Sequence, residues 1–280
     1  MTPNNVDTAV AEDFGREWNR FQQDAVPSPE LTKSFDEYFS IFPWSDLPPN
    51  AVGFDAGCGS GRWAAMVAPR VGTLHCVDAA AEALAVAQTK LTNQGQSNCH
   101  FHHCSVGDMP FADDSMDFAY SLGVLHHIPD TAAGVASCAR KLKAGAPFLL
   151  YLYYSLEDRP WWFRAIFHGS DIVRRLLCRM PHAIKCFVSD LAALLIYWPL
   201  SRMAGVVEKM TGRDVDGMPL AAYRDKSFYT LRTDALDRLG TRLERRFNQQ
   251  QMREMMTAAG LTDIRFSDHR PFWCAVGIKS

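Results

Sequence analysis

Apolar and polar positions change their period several times along the chain. Residues 51–55 (Ala-Val-Gly-Phe-Asp) form a short apolar run, which predicts a strand. A glycine-rich turn follows, then a helical pattern over residues 62–68. Residues 73–77 predict a second strand, and residues 80–91, rich in Ala and Leu, a second helix. A weaker strand is expected at 100–104, another at 118–121 and a helix at 131–142. Lys143-Ala144-Gly145-Ala146-Pro147 stops that helix, and residues 148–154 predict an apolar strand of the kind buried on both faces.

The alternation then pauses. From residue 161 to 207 the pattern is helical, with Trp161, Trp162, Tyr197 and Trp198 among the apolar positions. It resumes with a helix at 249–259, ended by Gly260, and strands at 262–266 and 272–278. The link Asp268-His269-Arg270-Pro271 is too short for a crossover helix, so this last pair is expected to be antiparallel. The expectation is therefore an α/β fold: a doubly wound, seven-stranded sheet with an antiparallel last strand. A helical insertion precedes the final helix and hairpin.

Composition narrows the function classes. The chain has 280 residues, of which 48% are hydrophobic and 21% charged, an ordinary globular balance. Lys and Arg number 29 against 31 Asp and Glu, for a formal net charge of −2. Nucleic-acid binders usually carry a basic surplus, so no nucleic-acid partner is expected. The N-terminus is polar and lacks a basic stretch followed by an apolar one, so no signal peptide is expected. Eight cysteines are scattered without a Cys-x-x-Cys pair, which reads as reduced thiols in a cytoplasmic protein. Within Cys99-His100-Phe101-His102-His103-Cys104, His100 and His102 share one strand face. No second ligand pair has suitable spacing, so no metal site is expected.

The strongest chemical signal is Phe54-Asp55-Ala56-Gly57-Cys58-Gly59-Ser60-Gly61-Arg62, between a strand and a helix. Glycines at 57, 59 and 61 allow a sharp turn and close approach of backbone to ligand. The spacing is Gly-x-Gly-x-Gly rather than the dinucleotide pattern, and Asp55 beside the loop favours a cationic ligand over a pyrophosphate. Asp78, at the end of the second strand and followed by Ala79, has two readings: acceptor for both hydroxyls of a ribose, or cap of the next helix. Asp108 and Met109 lie in a turn after the third strand. After the fourth strand comes Ser121-Leu122-Gly123-Val124-Leu125-His126-His127-Ile128-Pro129-Asp130, at strand C-termini where such sheets bind ligands.

Together these motifs resemble the class I methyltransferases that use S-adenosylmethionine (SAM), especially the small-molecule branch carrying a Leu-His-His-Ile-Pro-Asp segment. The match runs from about residue 54 to 154 and again over the final helix and hairpin. The resemblance implies a Rossmann-like core and SAM contacts at Asp55, Gly57, Gly59, Gly61, Asp78, Ala79, Asp108, Met109 and Ser121. Phe14 to Phe21 is similar to a segment that covers the cofactor in some relatives, which makes Trp18 a candidate lid residue. His127 and His126 are candidate general bases, because imidazole titrates near neutral pH. Tyr153, Tyr154 and Trp161 are candidate pocket residues.

This divides the chain into an N-terminal helical lid segment (1–47), a SAM-binding core (48–154), a helical insertion serving as acceptor-binding lid (155–240) and a return to the core (241–280). The insertion's longest apolar run, residues 191–200, is too short to span a bilayer. Basic residues flank it, so a solvated lid, a homodimer interface and peripheral contact with a membrane all use the same residues. The expected acceptor is a small, partly apolar molecule. A lipid- or quinone-directed methyltransferase at the membrane surface and a non-catalytic SAM-binding protein are the competing functions.

Overall fold

A computed structural model describes residues 5–157, 159–215 and 217–280. The chain divides into two compact units. The first comprises residues 5–23, Lys33–Ser155 and Leu243–Ser280; the second comprises Asp24–Thr32 and Leu156–Arg242.

The first unit is built on one seven-stranded sheet. Its strands are β1 (Val52–Ala56), β2 (Thr73–Asp78), β3 (Cys99–His103), β4 (Phe118–Leu122), β5 (Pro147–Tyr151), β6 (Leu261–Phe266) and β7 (Cys274–Lys279). They lie in the order β3-β2-β1-β4-β5-β7-β6. The first five are parallel, and β7 runs antiparallel to both β5 and β6. The strand order reverses between β1 and β4, so their carboxyl ends open a crevice there.

The central strands carry Phe54, Ala56, Leu74, Val77, Phe118, Phe148 and Leu150, all essentially inaccessible to water. Helices α1 (Thr8–Arg20), α3 (Ala64–Val67), α4 (Ala81–Asn93), α5 (Thr131–Lys141) and α10 (Gln249–Ala258) belong to the same unit. Helix α3 is shorter than residues 62–68 led us to expect. It passes into a 3₁₀ turn over Ala68–Arg70, where Pro69 supplies no backbone N–H. Helix α10 opens with a capping box: the Asn248 side chain accepts from Gln251 N at 2.8 Å, and the Gln251 side chain accepts from Asn248 N at 3.0 Å.

Strand β5 ends at Tyr151, so Tyr153 and Tyr154 are not strand residues as expected. Beyond it the chain pairs with the returning segment instead: Phe247 N donates to Tyr153 O at 2.9 Å and Ser155 N to Phe247 O at 2.8 Å. The segment around Phe247, before α10, thus runs as an extended strip along residues 153–155.

The second unit is helical. It holds α6 (Trp161–Leu177), α7 (His182–Ala192), α8 (Trp198–Thr211) and α9 (Phe228–Gly240), with a π-helical stretch over Ala193–Tyr197 joining α7 to α8. Residues 182–211 therefore form one continuous helix of 30 residues. The apolar run read as too short to span a bilayer sits inside a helix that is long and apolar enough to do so by length and composition. Helical geometry continues through Trp198-Pro199, where proline occupies the first turn of α8. Helix α2 (Ser28–Phe39) begins in this unit, where Glu30 accepts from Ser227 N (2.9 Å) and Thr230 Oγ1 (2.7 Å).

Candidate active site

The first unit contains a cavity of about 920 Å³, counting its open mouth, at the carboxyl ends of β1, β2 and β4. The glycine loop forms one wall. Gly57 has φ +86°, and a side chain there would meet the Val124 methyls at 2.4–2.5 Å. Gly59 has φ +52°, and its missing Cβ would stand 3.0 Å from the Trp18 indole nitrogen. The loop is therefore side-chain-free where its backbone turns into the cavity.

Asp78 lines the cavity and ties the loop down. Its Oδ2 accepts from Gly59 N and its Oδ1 from Ala80 N, both at 2.8 Å. The cap-like role thus coexists with a place on the cavity wall, and each carboxylate oxygen retains a second lone pair. Burial pushes the Asp78 carboxyl upward, opposed by the backbone amides of Ala80 and Gly59. Ala79, Cys104, Ser105 and Val106 continue the wall. The thiol of Cys58, in the loop, is lowered by its neighbour Cys76 but raised further by burial and by Asp78 and Asp55, to about 11.

Helix α1 supplies the opposite side. Asp7 caps it, accepting from Ala9 N at 3.0 Å and Val10 N at 3.1 Å. Val10, Phe14 and Trp18, four residues apart, then fall on one face and line the cavity.

The Leu-His-His turn closes the site. His127 lines the cavity beside Phe14, ring centroids 4.9 Å apart. Its Nδ1 lies 2.6 Å from the Leu243 carbonyl oxygen. A carbonyl only accepts, so Nδ1 carries the proton and Nε2 the lone pair. His126 points away from the cavity, fully buried, with its ring 3.9 Å from that of Tyr153. Neither of its ring nitrogens has a hydrogen-bond partner, and burial, then His127 and Arg246, lower its pKa well below 6.5. A neutral imidazole enclosed in this way is part of the support beneath His127. Its backbone carbonyl accepts from Arg245 N at 3.1 Å.

Other expected site residues do not line the cavity. Asp55 is 2% exposed beneath the loop, and its Oδ2 has no hydrogen-bond partner. Burial raises its carboxyl well above 3.8, against the lowering effect of neighbouring Tyr120. Gly61 packs on Ala87 of α4. The Ser121 hydroxyl donates to Ala56 O at 2.8 Å. Met109 belongs to the apolar core, and Asp108 accepts from the hydroxyl of Ser105, a cavity residue, at 3.2 Å. Tyr153 and Tyr154 do not line the cavity; the Arg246 guanidinium lies over the Tyr153 ring, 5.1 Å from its centroid. Trp161 opens α6 in the second unit and is 75% exposed. Sequence reasoning missed Val10, gave Phe14 no role beyond membership of the covering segment, and missed the Leu243 carbonyl. The four-residue spacing in α1 carried a signal for the first two, whereas a backbone acceptor at residue 243 leaves no trace in residue type.

Among known proteins, a family described as "Methyltransferase domain" matches residues 54–150. A ubiquinone biosynthesis O-methyltransferase of Hahella chejuensis is 30% identical over 203 residues, covering 70% of this chain and 82% of the relative. The chain is a class I SAM-dependent methyltransferase. The enzyme of the same description from Pseudomonas fluorescens (strain Pf0-1) is 28% identical to this methyltransferase over 183 residues, covering 62% of this chain and 72% of that one. Two solved structures share the fold of this methyltransferase. A methyltransferase structure from Bacillus halodurans has a TM-score of 0.52 at 16% identity, over 83% of this chain and 70% of that chain. A chain from the complex of the Haloferax volcanii Trm112 activator with a methyltransferase has a TM-score of 0.50 at 14% identity, over 96% of both.

Proposed function

We propose that this methyltransferase methylates a hydroxyl group on an apolar, quinone-type ring, with SAM along the glycine loop and His127 as general base. The setting of His127 carries the reading: the residue lines the cavity, and its proton is held at Nδ1 by Leu243, which leaves Nε2 as the basic ring nitrogen. Relatives named for O-methylation in ubiquinone biosynthesis support an acceptor of that class.

The residues fit SAM. The glycine loop leaves a cradle that a Cβ at 57 or 59 would fill, and the Asp78 carboxylate lies beside it for ribose hydroxyls. Val106 and the Cys104–Ser105 backbone offer an apolar, hydrogen-bonding wall for a purine, while Trp18 and Phe14 close over the loop. Bound SAM supplies a methyl group on a sulfonium, and its sulfur leaves as a neutral thioether. His127 Nε2 takes the proton of the acceptor hydroxyl and thereby makes that oxygen a stronger nucleophile. Leu243, through its carbonyl, keeps the imidazole oriented and stabilises the imidazolium that results. We assign the second unit to acceptor binding, as an insertion in the methyltransferase core.

Replacing His127 by Ala tests the assignment. Turnover is expected to fall by about 10²–10⁴-fold while SAM still binds. Unchanged turnover with bound SAM would remove the general base.

A further inference from the structure

Helix α6 and the 30-residue helix of the second unit expose large apolar side chains that a water-soluble core would bury. On α6, Trp162, Ile166, Val173 and Leu176 recur at the helical period, and all are exposed. The opposite face buries Arg174, whose guanidinium donates to Asp171 Oδ1 at 2.8 Å, Thr241 O at 2.9 Å and Arg242 O at 3.2 Å. The 30-residue helix does the same. Ile184, Phe187, Leu191, Leu195 and Met210 are exposed, Phe187 by 69% and Met210 by 81%, whereas Lys185, Ser189 and Ser201 are buried. An amphipathic helix in water turns its apolar stripe inward. Here the stripe faces out along about 45 Å of helix, and a continuous exposed apolar surface of this kind marks an interaction site.

Charge indicates what covers it. Residues 161–211 hold seven Lys and Arg against three acidic residues, in a chain whose net charge is −2. Each of the three acids is already in an ion pair: Asp171 with Arg174 and Arg175, Asp190 with Arg232, Glu208 with Arg224. Arg164 and Lys209 are exposed on the same helices, and Arg179 in the turn between α6 and α7. We propose that α6 to α8 form a docking surface for an anionic lipid bilayer, lying in its interfacial plane with apolar side chains among the acyl chains and basic ones at the headgroups. A second copy of the chain would bring this positive charge against itself. Spanning the bilayer would carry buried Lys185 and the Asp190–Arg232 pair into hydrocarbon, so the long helix lies along the surface. The inference goes beyond the acceptor reading and stands without it.

The test is flotation of the full-length protein with two sets of vesicles, one of phosphatidylcholine alone and one of phosphatidylcholine with phosphatidylglycerol. SAM binding, which belongs to the first unit, serves as folding control. The protein is expected to float with the anionic vesicles, to bind neutral ones more weakly, and to be released by alkaline carbonate. Phe187→Glu and Leu195→Glu should each weaken binding by about tenfold, and Arg179→Glu with Lys209→Glu should abolish the preference for anionic lipid. A protein that stays soluble with both vesicle types contradicts the proposal, all the more if light scattering shows a dimer that Phe187→Glu dissociates. Resistance to carbonate would replace surface docking with insertion. Either result leaves the methyl-transfer reading, assayed on its own, untouched.

Discussion

Gly57 is a position where geometry leaves no alternative residue. Its φ of +86° disfavours any L side chain, and a Cβ would collide with Val124. Gly57→Ala should cost about 1–3 kcal/mol of stability and reduce SAM affinity more than tenfold; calorimetric titration showing wild-type affinity would refute the cradle. At His75, burial and then the charges of His102 and His100 hold the imidazole down to about 4. The unfolded chain takes up that proton near 6.5, the folded chain only near 4, so this residue's contribution to stability is lost as pH falls through that window. Buried His126 acts in the same direction, whereas Asp55, with its raised carboxyl, acts oppositely. Comparison with His75→Gln isolates the effect: between pH 6.5 and 4 the melting temperature of the variant should decline less steeply than that of the wild type. Parallel curves would contradict it. The residue types of the loop, of Asp78 and of the histidine pair were legible in the sequence. Which oxygen or ring nitrogen each one commits to was not, because the partners are backbone groups far along the chain, such as Leu243 O for His127 and Gly59 N for Asp78.

At the level of elements, apolar periodicity located all seven strands and their order of appearance to within a residue or two at most boundaries. It failed where a strand's partner is irregular. Residues 153–154 look like strand because they are apolar and aromatic, yet they pair with the returning strip around Phe247. Helix α1 shows the converse case. Its resemblance to a covering segment singled out Trp18, and Val10 and Phe14 on the same face line the cavity with it. Trp18 fills the space a Gly59 side chain would take, so α1 is expected to act on cofactor retention. Trp18→Ala should weaken SAM binding by about tenfold through a faster off-rate, measured by stopped-flow fluorescence. An unchanged off-rate would reduce α1 to a structural support.

For the molecule as a whole, the methyltransferase core was readable because its motifs follow one another along a single doubly wound sheet. The helical unit was not readable in the same way. Its apolar residues suited a lid, a dimer interface or a membrane-surface element alike, since a linear pattern marks an apolar stripe without saying which way it faces. Only the folded arrangement shows polar Arg174, Lys185 and Ser189 inside and the large apolar side chains outside. A methyltransferase core joined to such a unit suits an acceptor that partitions into lipid. The most direct measurement is methyl transfer from methyl-labelled SAM to a hydroxylated quinol with a short isoprenoid tail, followed by extraction into organic solvent. Label is expected in the organic phase as a methyl ether, lost in His127→Ala. Label confined to polar, aqueous products, or no transfer to any ring hydroxyl while SAM is bound, would contradict it.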